Sequence, residues 1–266
     1  MPTHPLSDPR RILITGASGG IGSALALEYA AADRTLLLQG RDAARLATVA
    51  QRCEALGSVV EIHVVDLVDA SARQAWYREL LSAPPLDLVI LNAGVTSNIF
   101  DTPDGESPEQ VTTLLELNLN ATIGLCEALL PGMQRRGQGQ IALVSSLSAY
   151  FGLPLTPSYC ASKAGLKAYG EALRGWLAPR GIAVNVVMPG FVASDMSQRF
   201  PGPRPFMLTP ERGARLIRRG LARNRARIAF PWPLRIGMWW LAVLPPDLSL
   251  SMLRVFGFAR PAGRPD

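Results

Sequence analysis

A chain of 266 residues, 48% hydrophobic and 18% charged, carries enough apolar content to bury a substantial core, which excludes a disordered or fibrous protein. Its three cysteines, Cys53, Cys126 and Cys160, are an odd set without metal-like spacing, so neither a disulfide framework nor a thiolate metal site is expected, and a reducing cytosol is the simplest setting. The net charge of +6 hides an asymmetry: residues 197–266 hold 13 arginines against three acids while residues 1–196 are net acidic, so the basicity belongs to the C-terminal segment.

The N-terminal MPTHPLSDPRR has no apolar h-region, and its first nine residues are expected to be flexible. The longest uncharged apolar stretch, 236–246, falls well short of the ~20 residues that span a bilayer. Apolar runs then alternate with helix-length segments. RILIT, TLLLQ, VVEIHVV, LDLVILN, QIALVSS and IAVNVVMP read as strands hydrophobic on both faces, as central parallel strands are. Between them, segments 21–32, 42–56, 70–81, 108–133 and 157–177 carry apolar residues at three- and four-residue spacing and read as helices. This alternation predicts an α/β fold, a doubly wound parallel sheet with helices on both faces and ligands at the carboxyl ends of the strands.

No repeat or linker interrupts the pattern before residue 197, so the chain reads as a single domain over 1–266. Beyond that point RFPGPRPFMLTPERG reads as a mobile loop, PERGARLIRRGLAR as a helix, RIAF as a short strand and PLRIGMWWLAVLPP as an apolar stretch.

Two short motifs carry chemistry. TGASGGIG places Gly16, Gly20 and Gly22 at a strand-to-helix turn, where backbone N–H groups can reach a pyrophosphate at the positive end of a helix. SYCASKAGLKAYG puts Tyr159 and Lys163 four apart on one helix face. A nearby ammonium favours the phenolate and lowers a tyrosine pKa toward useful acid–base chemistry. Taken alone, such a pair is far more often a half-buried ring and a snorkelling surface charge than a catalytic pair.

Together, T-G-x-x-x-G-x-G at residues 15–22, NAG at 92–94, a serine thirteen residues before Tyr159, YCASK and PGFVAS at 189–194 resemble the short-chain dehydrogenase/reductase family over roughly residues 10–196. The resemblance implies a single-domain Rossmann fold and nicotinamide-dependent interconversion of a carbonyl and an alcohol. It implies Tyr159 as general acid or base, Lys163 lowering its pKa and holding the nicotinamide ribose, and Ser146 polarising the substrate carbonyl, with Ser145 structural. The family's helix asparagine maps onto Asn118, with Asn120 as a rival. Gly16, Ser18, Gly20, Ile21 and Gly22 map onto the cofactor's phosphate loop, Asp66 and Leu67 onto the adenine side, and Asn92, Ala93 and Gly94 onto the adenosine side. Leu91 stands where the family usually has a first asparagine. Pro189, Gly190, Val192 and Ser194 map onto the nicotinamide side, Ser194 replacing a common threonine.

At the end of the second strand, Gly40 stands where NAD-specific proteins place an acid, and Arg41 follows. A guanidinium without a competing carboxylate suits a 2'-phosphate, so NADP(H) is favoured over NAD(H). The other reading is that Arg41 is a solvated charge, and Gly19 lacks the second basic side chain of many NADP-dependent relatives.

The expected function is therefore an NADP(H)-dependent ketoreductase or alcohol dehydrogenase. Its alternative is a nucleotide-binding regulator of the same fold, disfavoured because Ser146, Tyr159 and Lys163 are all present. Nucleic acid is not an expected partner, since the arginines are not interleaved with stacking aromatics. Metal and Ser-His-Asp chemistry are disfavoured because the histidines are His4 in the tail and His63 in an apolar run, read as a core imidazole. In the family the segment after PG builds the substrate pocket, and Phe200, Phe206 and Met207 there suggest a roomy apolar site. The family also implies subunit pairing through helices 108–133 and 157–177, a homodimer in preference to a homotetramer. The C-terminal stretch is read in two ways: as a lid over the pocket or a segment packed on the sheet edge with its tryptophans buried, which is the favoured reading, or as a peripheral membrane contact.

Overall fold

The computed structural model describes residues 8–100 and 105–259. Seven strands pair in parallel: β1 (Arg11–Thr15), β2 (Thr35–Gly40), β3 (Val59–Val64), β4 (Leu88–Leu91), β5 (Gly139–Val144), β6 (Ile182–Pro189) and β7 (Arg227–Phe230), in the spatial order β3-β2-β1-β4-β5-β6-β7. The sequence order reverses between β1 and β4, so the connections leaving these two strands run to opposite sides of the sheet and open a crevice at their carboxyl ends.

Helices cover both faces because successive strand residues point opposite ways. Ile12 and Ile14 of β1 pack into a core with α1 (Gly20–Tyr29), α2 (Ala43–Glu54) and, through Ile217 and Leu221, α8 (Pro210–Ala222). Leu13, between them, joins the opposite core, built with α3 (Ala70–Ser82), α5 (Ala121–Arg136) and α6 (Pro157–Leu177). The doubly wound sheet read from the alternation of elements is thus present, with β5 and β6 buried along their whole length.

Two elements depart from the sequence reading. The third strand, expected to be apolar on both faces, is the sheet's edge, and Val59, Ile62 and Val64 are exposed. His63 on that strand keeps its side chain mostly buried, 11% exposed, against the Trp76 ring at 5.9 Å. The expected helix over 108–133 is interrupted: α4 (Pro108–Leu115) passes through a π-turn at Glu116–Asn120 into α5, and such bulges recur at functional sites.

After β6 the chain forms a short turn of helix, α7 (Asp195–Gln198), then α8 and β7, and ends in α9 (Trp232–Val243) and α10 (Pro246–Val255). α9 packs against β7 and the 3₁₀ turn Leu147–Ala149, with Leu234 and Met238 on Leu147, Val186 and Met188. The apolar stretch near residue 240 is therefore a helix pair. It packs on the edge strand β7 and lines the main cavity, as the lid and sheet-edge reading expects, but the tryptophans that reading buries are not buried: Trp232, Trp239 and Trp240 are all exposed. Residues 1–7 of the N-terminus expected to be flexible, and 260–266 of the C-terminal extension, lie outside the described residues. No described helix is long and apolar enough to cross a membrane.

Candidate active site

The β1–α1 turn is shaped by contacts that side chains would obstruct. Gly16 sits at φ +64°, in the left-handed region, and a Cβ there would stand 2.9 Å from Ala93 Cα. A Cβ on Gly22 would lie 2.1 Å from the Gly16 carbonyl oxygen, so the turn closes only with glycine at that position. Buried polar side chains hold it from outside. Thr15 Oγ1 accepts from the N–H groups of Asn92 and Ala93, both at 3.0 Å, and Asn92 Nδ2 donates back to the Thr15 carbonyl at 3.1 Å. Gln39, 2% exposed, accepts from the Gly16 N–H at 3.3 Å and donates to the Val65 carbonyl at 2.8 Å, tying the turn to the end of β3.

Thr15 and Gln39 thus organise the phosphate loop, and Gln39 was not singled out from the sequence. Its signal was a polar residue ending an otherwise apolar strand, since a buried amide there needs partners. Asn92, assigned to the adenosine side, has its side chain committed to the loop backbone.

Farther along the strand ends, Arg41 and Asp66 face each other at 4.0 Å with both side chains about half exposed. Asp66 also accepts from the Val68 N–H at 3.0 Å, while the helix cap that follows is Asp69. The Leu67 side chain is buried in the core and its carbonyl accepts from Arg73. Ser18 stands beside Gly40: a Cβ on Gly40 would meet Ser18 Oγ at 3.0 Å.

On the other side of the crevice, the extended end of β5 turns into the 3₁₀ helix and presents two serines in opposite directions. Ser145, 3% exposed, donates to the Lys163 carbonyl at 2.7 Å and is consumed by packing. Ser146 accepts from the Ser148 N–H at 3.2 Å and lines the cavity together with Tyr159. Tyr159 and Lys163 project from one face of α6, with the ammonium 5.7 Å from the ring centroid. Lys163 is 4% exposed and donates to the Val144 carbonyl at 3.0 Å.

Burial dominates both titrating groups. It pushes Tyr159 up to about 12, against the Ser146 hydroxyl nearby, which acts the other way, and pulls Lys163 down to about 8. The Tyr159 phenol therefore stands above its ordinary value, where the sequence reading has Lys163 placing it below, because desolvation dominates.

Asn118 lies in the π-turn, fully buried, and its amide is satisfied at both ends. Oδ1 accepts from the Val95 N–H at 2.8 Å, and Nδ2 donates to the Val95 carbonyl at 2.9 Å and to Ser162 Oγ at 3.1 Å. Asn120, the rival position, bonds Glu116 on the same helix instead. A Cβ on Gly94 would stand 3.0 Å from Asn118 Oδ1 and 3.4 Å from Lys163 Nζ, so the loop after β4 passes close over both.

These residues border a cavity of about 780 Å³. Ile21, Asn92, Gly94, Ser146, Tyr159 and Lys163 line one end, and Pro189, Gly190, Val192 and Ser194 continue the wall from the end of β6. Gly190 N–H donates to the Phe230 carbonyl at 2.7 Å, and Ser194 caps α7 through a reciprocal pair with Ser197, both at 3.1 Å. A Cβ on Gly20 would stand 3.0 Å from the Ala193 carbonyl, so the start of α1 and this wall come together. Gly16, Ser18, Gly20, Gly22, Arg41, Asp66, Leu67, Ala93 and Asn118 do not line the cavity; they lie behind or beside it. Its far end is apolar, built from Phe191, Phe200, Leu234, Met238, Leu241 and Leu253, and among the described residues Lys163 is the one charged residue in its lining. The contribution of α9 and α10 was invisible as a site in the sequence because nothing in PLRIGMWWLAVLPP says which wall it completes.

The comparisons agree with the geometry. The family model for short chain dehydrogenases matches residues 10–203, and the chain belongs to that family. An uncharacterized oxidoreductase of Myxococcus xanthus (strain DK1622) is 34% identical over 242 residues, covering 90% of this chain and 94% of that protein. A very-long-chain 3-oxoacyl-CoA reductase of Phaeosphaeria nodorum is 31% identical over 253 residues, covering 91% of this chain and 74% of the relative. Among solved structures, a short-chain dehydrogenase from Sphingobium yanoikuyae in complex with NADPH is 25% identical, covers 96% of this chain and 100% of its own, and has a TM-score of 0.78. The protein is an oxidoreductase of this family with a nicotinamide cofactor.

Proposed function

We propose that this protein is an NADP(H)-dependent oxidoreductase that interconverts a ketone and a secondary alcohol on an apolar, lipid-like substrate. The observation that carries the reading is the joining, in one cavity, of Ser146, Tyr159 and Lys163 at one end with an apolar chamber at the other.

The residues present suit a dinucleotide. The glycine turn leaves the backbone approach open where any Cβ at Gly16 or Gly22 would collide, and the α1 N-terminus begins there. Gly16, Ser18, Gly20, Ile21 and Gly22 would hold the pyrophosphate, Asp66, Leu67, Asn92, Ala93 and Gly94 the adenosine, and Pro189, Gly190, Val192 and Ser194 the nicotinamide. Arg41 would meet a 2'-phosphate, with Asp66 at 4.0 Å as the carboxylate it would partly exchange for that ligand. When bound, the cofactor supplies or accepts the hydride.

Ser146 Oγ orients the substrate carbonyl, and Tyr159 gives its proton to the carbonyl oxygen in reduction or takes it from the alcohol in oxidation. A phenol held neutral by burial is suited to the donor role. Lys163, mostly cationic at pH 7 with its value near 8, stabilises the phenolate that remains and reaches the ribose. Asn118 is a positioning residue: by fixing Val95 and Ser162 it sets the floor beside Lys163.

The apolar far wall sets the substrate class, and the name of the Phaeosphaeria relative points to a ketone on a long acyl chain. Pairing of two copies through α4–α5 and α6 gives the expected dimer, and the three cysteines, all free and buried, suit a reducing cytosol. NADPH oxidation measured against ketones from short polar to long-chain compounds tests the reading. The rate per KM should rise with chain length; an enzyme that turns over only short polar ketones, or none, overturns it.

A further inference from the structure

The outer face of α9 carries an apolar stripe that the fold leaves uncovered. Trp232, Ile236, Trp239 and Val243 fall at helical spacing and all are exposed, Trp232 at 72%. Beside them Trp240 borders the main cavity and is itself 51% exposed, and Phe206 and Phe256 do the same across the opening. The cavity mouth therefore opens within an apolar patch, where scattered single residues would be ordinary but a continuous one marks a contact surface.

A second, smaller cavity of about 330 Å³ flanks the stripe, lined by Tyr150, Arg227, Ala229, Arg235, Ile236 and Trp239. Two guanidiniums share it. Arg227 pairs with Glu171 and lines the cavity beside Tyr150; Lys167 pairs with the same carboxylate at 3.2 Å and lies 5.8 Å from the Tyr150 ring centroid. Arg235 makes no ion pair among the described residues. Arg227 and Lys167 thus share one carboxylate while Arg235 stands as a further cation beside two aromatic rings, an arrangement that favours an oxygen-rich anion accepting from a guanidinium fork.

We propose that this face docks on a membrane containing anionic phospholipid, a headgroup phosphate seating between Arg227 and Arg235 while the α9 stripe enters the acyl boundary. Tryptophans suit that interface, with an apolar body and a polar N–H. A second copy is a poorer occupant, because a two-fold contact through this patch sets each arginine cluster near the other. Docked this way, the cavity mouth opens onto lipid, and a lipid-like ketone enters without crossing water. The last step rests on the substrate reading above; the membrane contact itself does not.

The test is co-sedimentation at low salt with vesicles of phosphatidylcholine alone or mixed with phosphatidylglycerol, which reads no turnover. Wild type should bind the mixed vesicles at least about tenfold more tightly, and Arg235→Glu and Trp239→Ala should each weaken that binding about fivefold or more. Arg219→Glu, the same charge change on α8 across the sheet, should stay within about twofold. NADPH titration of each variant reports that it is folded.

Wild type remaining in the supernatant overturns the proposal, as does an Arg219→Glu loss equal to that of Arg235→Glu, which would make the attraction diffuse. A drop in solution mass on Trp239→Ala, measured by light scattering without vesicles, gives the stripe to a second copy instead. Thermal protection by inorganic phosphate without vesicle binding gives the small cavity to a soluble anion.

Discussion

The Lys163 ammonium lies 5.7 Å from the Tyr159 ring centroid, yet its hydrogen bond goes to the Val144 carbonyl at the end of β5. The lysine is thus pinned between the helix that carries it and the strand that leads into Ser145 and Ser146. Lys163 is buried and Tyr159 partly so, and desolvation is the leading influence on both.

Tyr159→Phe removes one oxygen and leaves the ring's packing in place. Turnover should fall by about 10²–10⁴-fold while NADPH affinity, measured by fluorescence titration, changes less than a few-fold. Activity within a few-fold of wild type would remove Tyr159 from the proton-transfer role.

Lys163→Met keeps the stem and deletes the charge. Turnover and NADPH affinity should both fall, whereas the Tm of the cofactor-free protein at pH 7 should match or exceed that of wild type, because a buried ammonium is lost. The folded value near 8 lies below the unfolded one near 10.5, so the unfolded wild-type chain binds the extra proton between them. Wild-type stability from this group therefore rises from about pH 8 to 10.5, and the variant's advantage should shrink across that window. Calorimetry at pH 7 and pH 10 reads the difference; an advantage that grows with pH contradicts the assignment.

Arg41→Ala should weaken NADPH binding by about tenfold and leave NADH nearly unchanged, the scale of one charged hydrogen-bonded contact. Gly40→Asp should move preference toward NADH by placing a carboxylate beside the 2'-oxygen, at the cost of displacing Ser18 Oγ, 3.0 Å from the new Cβ. Binding titrations with both cofactors check the pair. Wild type that holds NADH more tightly than NADPH rules out the cofactor preference.

Gly22→Ala should be severe although it adds one methyl group. Its Cβ would lie 2.1 Å from the Gly16 carbonyl oxygen, and backbone rather than a flexible side chain must yield. A loss of about 1–3 kcal/mol of stability, with NADPH binding lost more completely than the fold, is expected from denaturant titration and cofactor binding. Gly175→Ala, which meets nothing within 4 Å on the exposed face of α6, should be nearly silent in both.

The sequence by itself determined the alternation of strands and helices, and with it the sheet, because apolar runs of strand length separated by amphipathic segments have few other ways to bury themselves. It also determined the glycine turn, since Gly16 and Gly22 sit where a Cβ would strike backbone, and the four-residue spacing of Tyr159 and Lys163, which helix geometry alone places on one face. Position within the sheet was not legible: Val59, Ile62 and Val64 read as core, but only the strand order makes β3 an edge. Nor was the balance at Tyr159, where a lysine four residues away suggests a lowered pKa and enclosure by distant segments raises it. The C-terminal helices show the same limit most clearly. Leu234, Met238 and Leu241 face the cavity while Trp232, Ile236 and Trp239 face outward, and in an apolar stretch hydrophobic on every side, which residues turn inward is decided by where β7 and the Leu147 turn dock the helix, long-range contacts that leave no local mark on the chain.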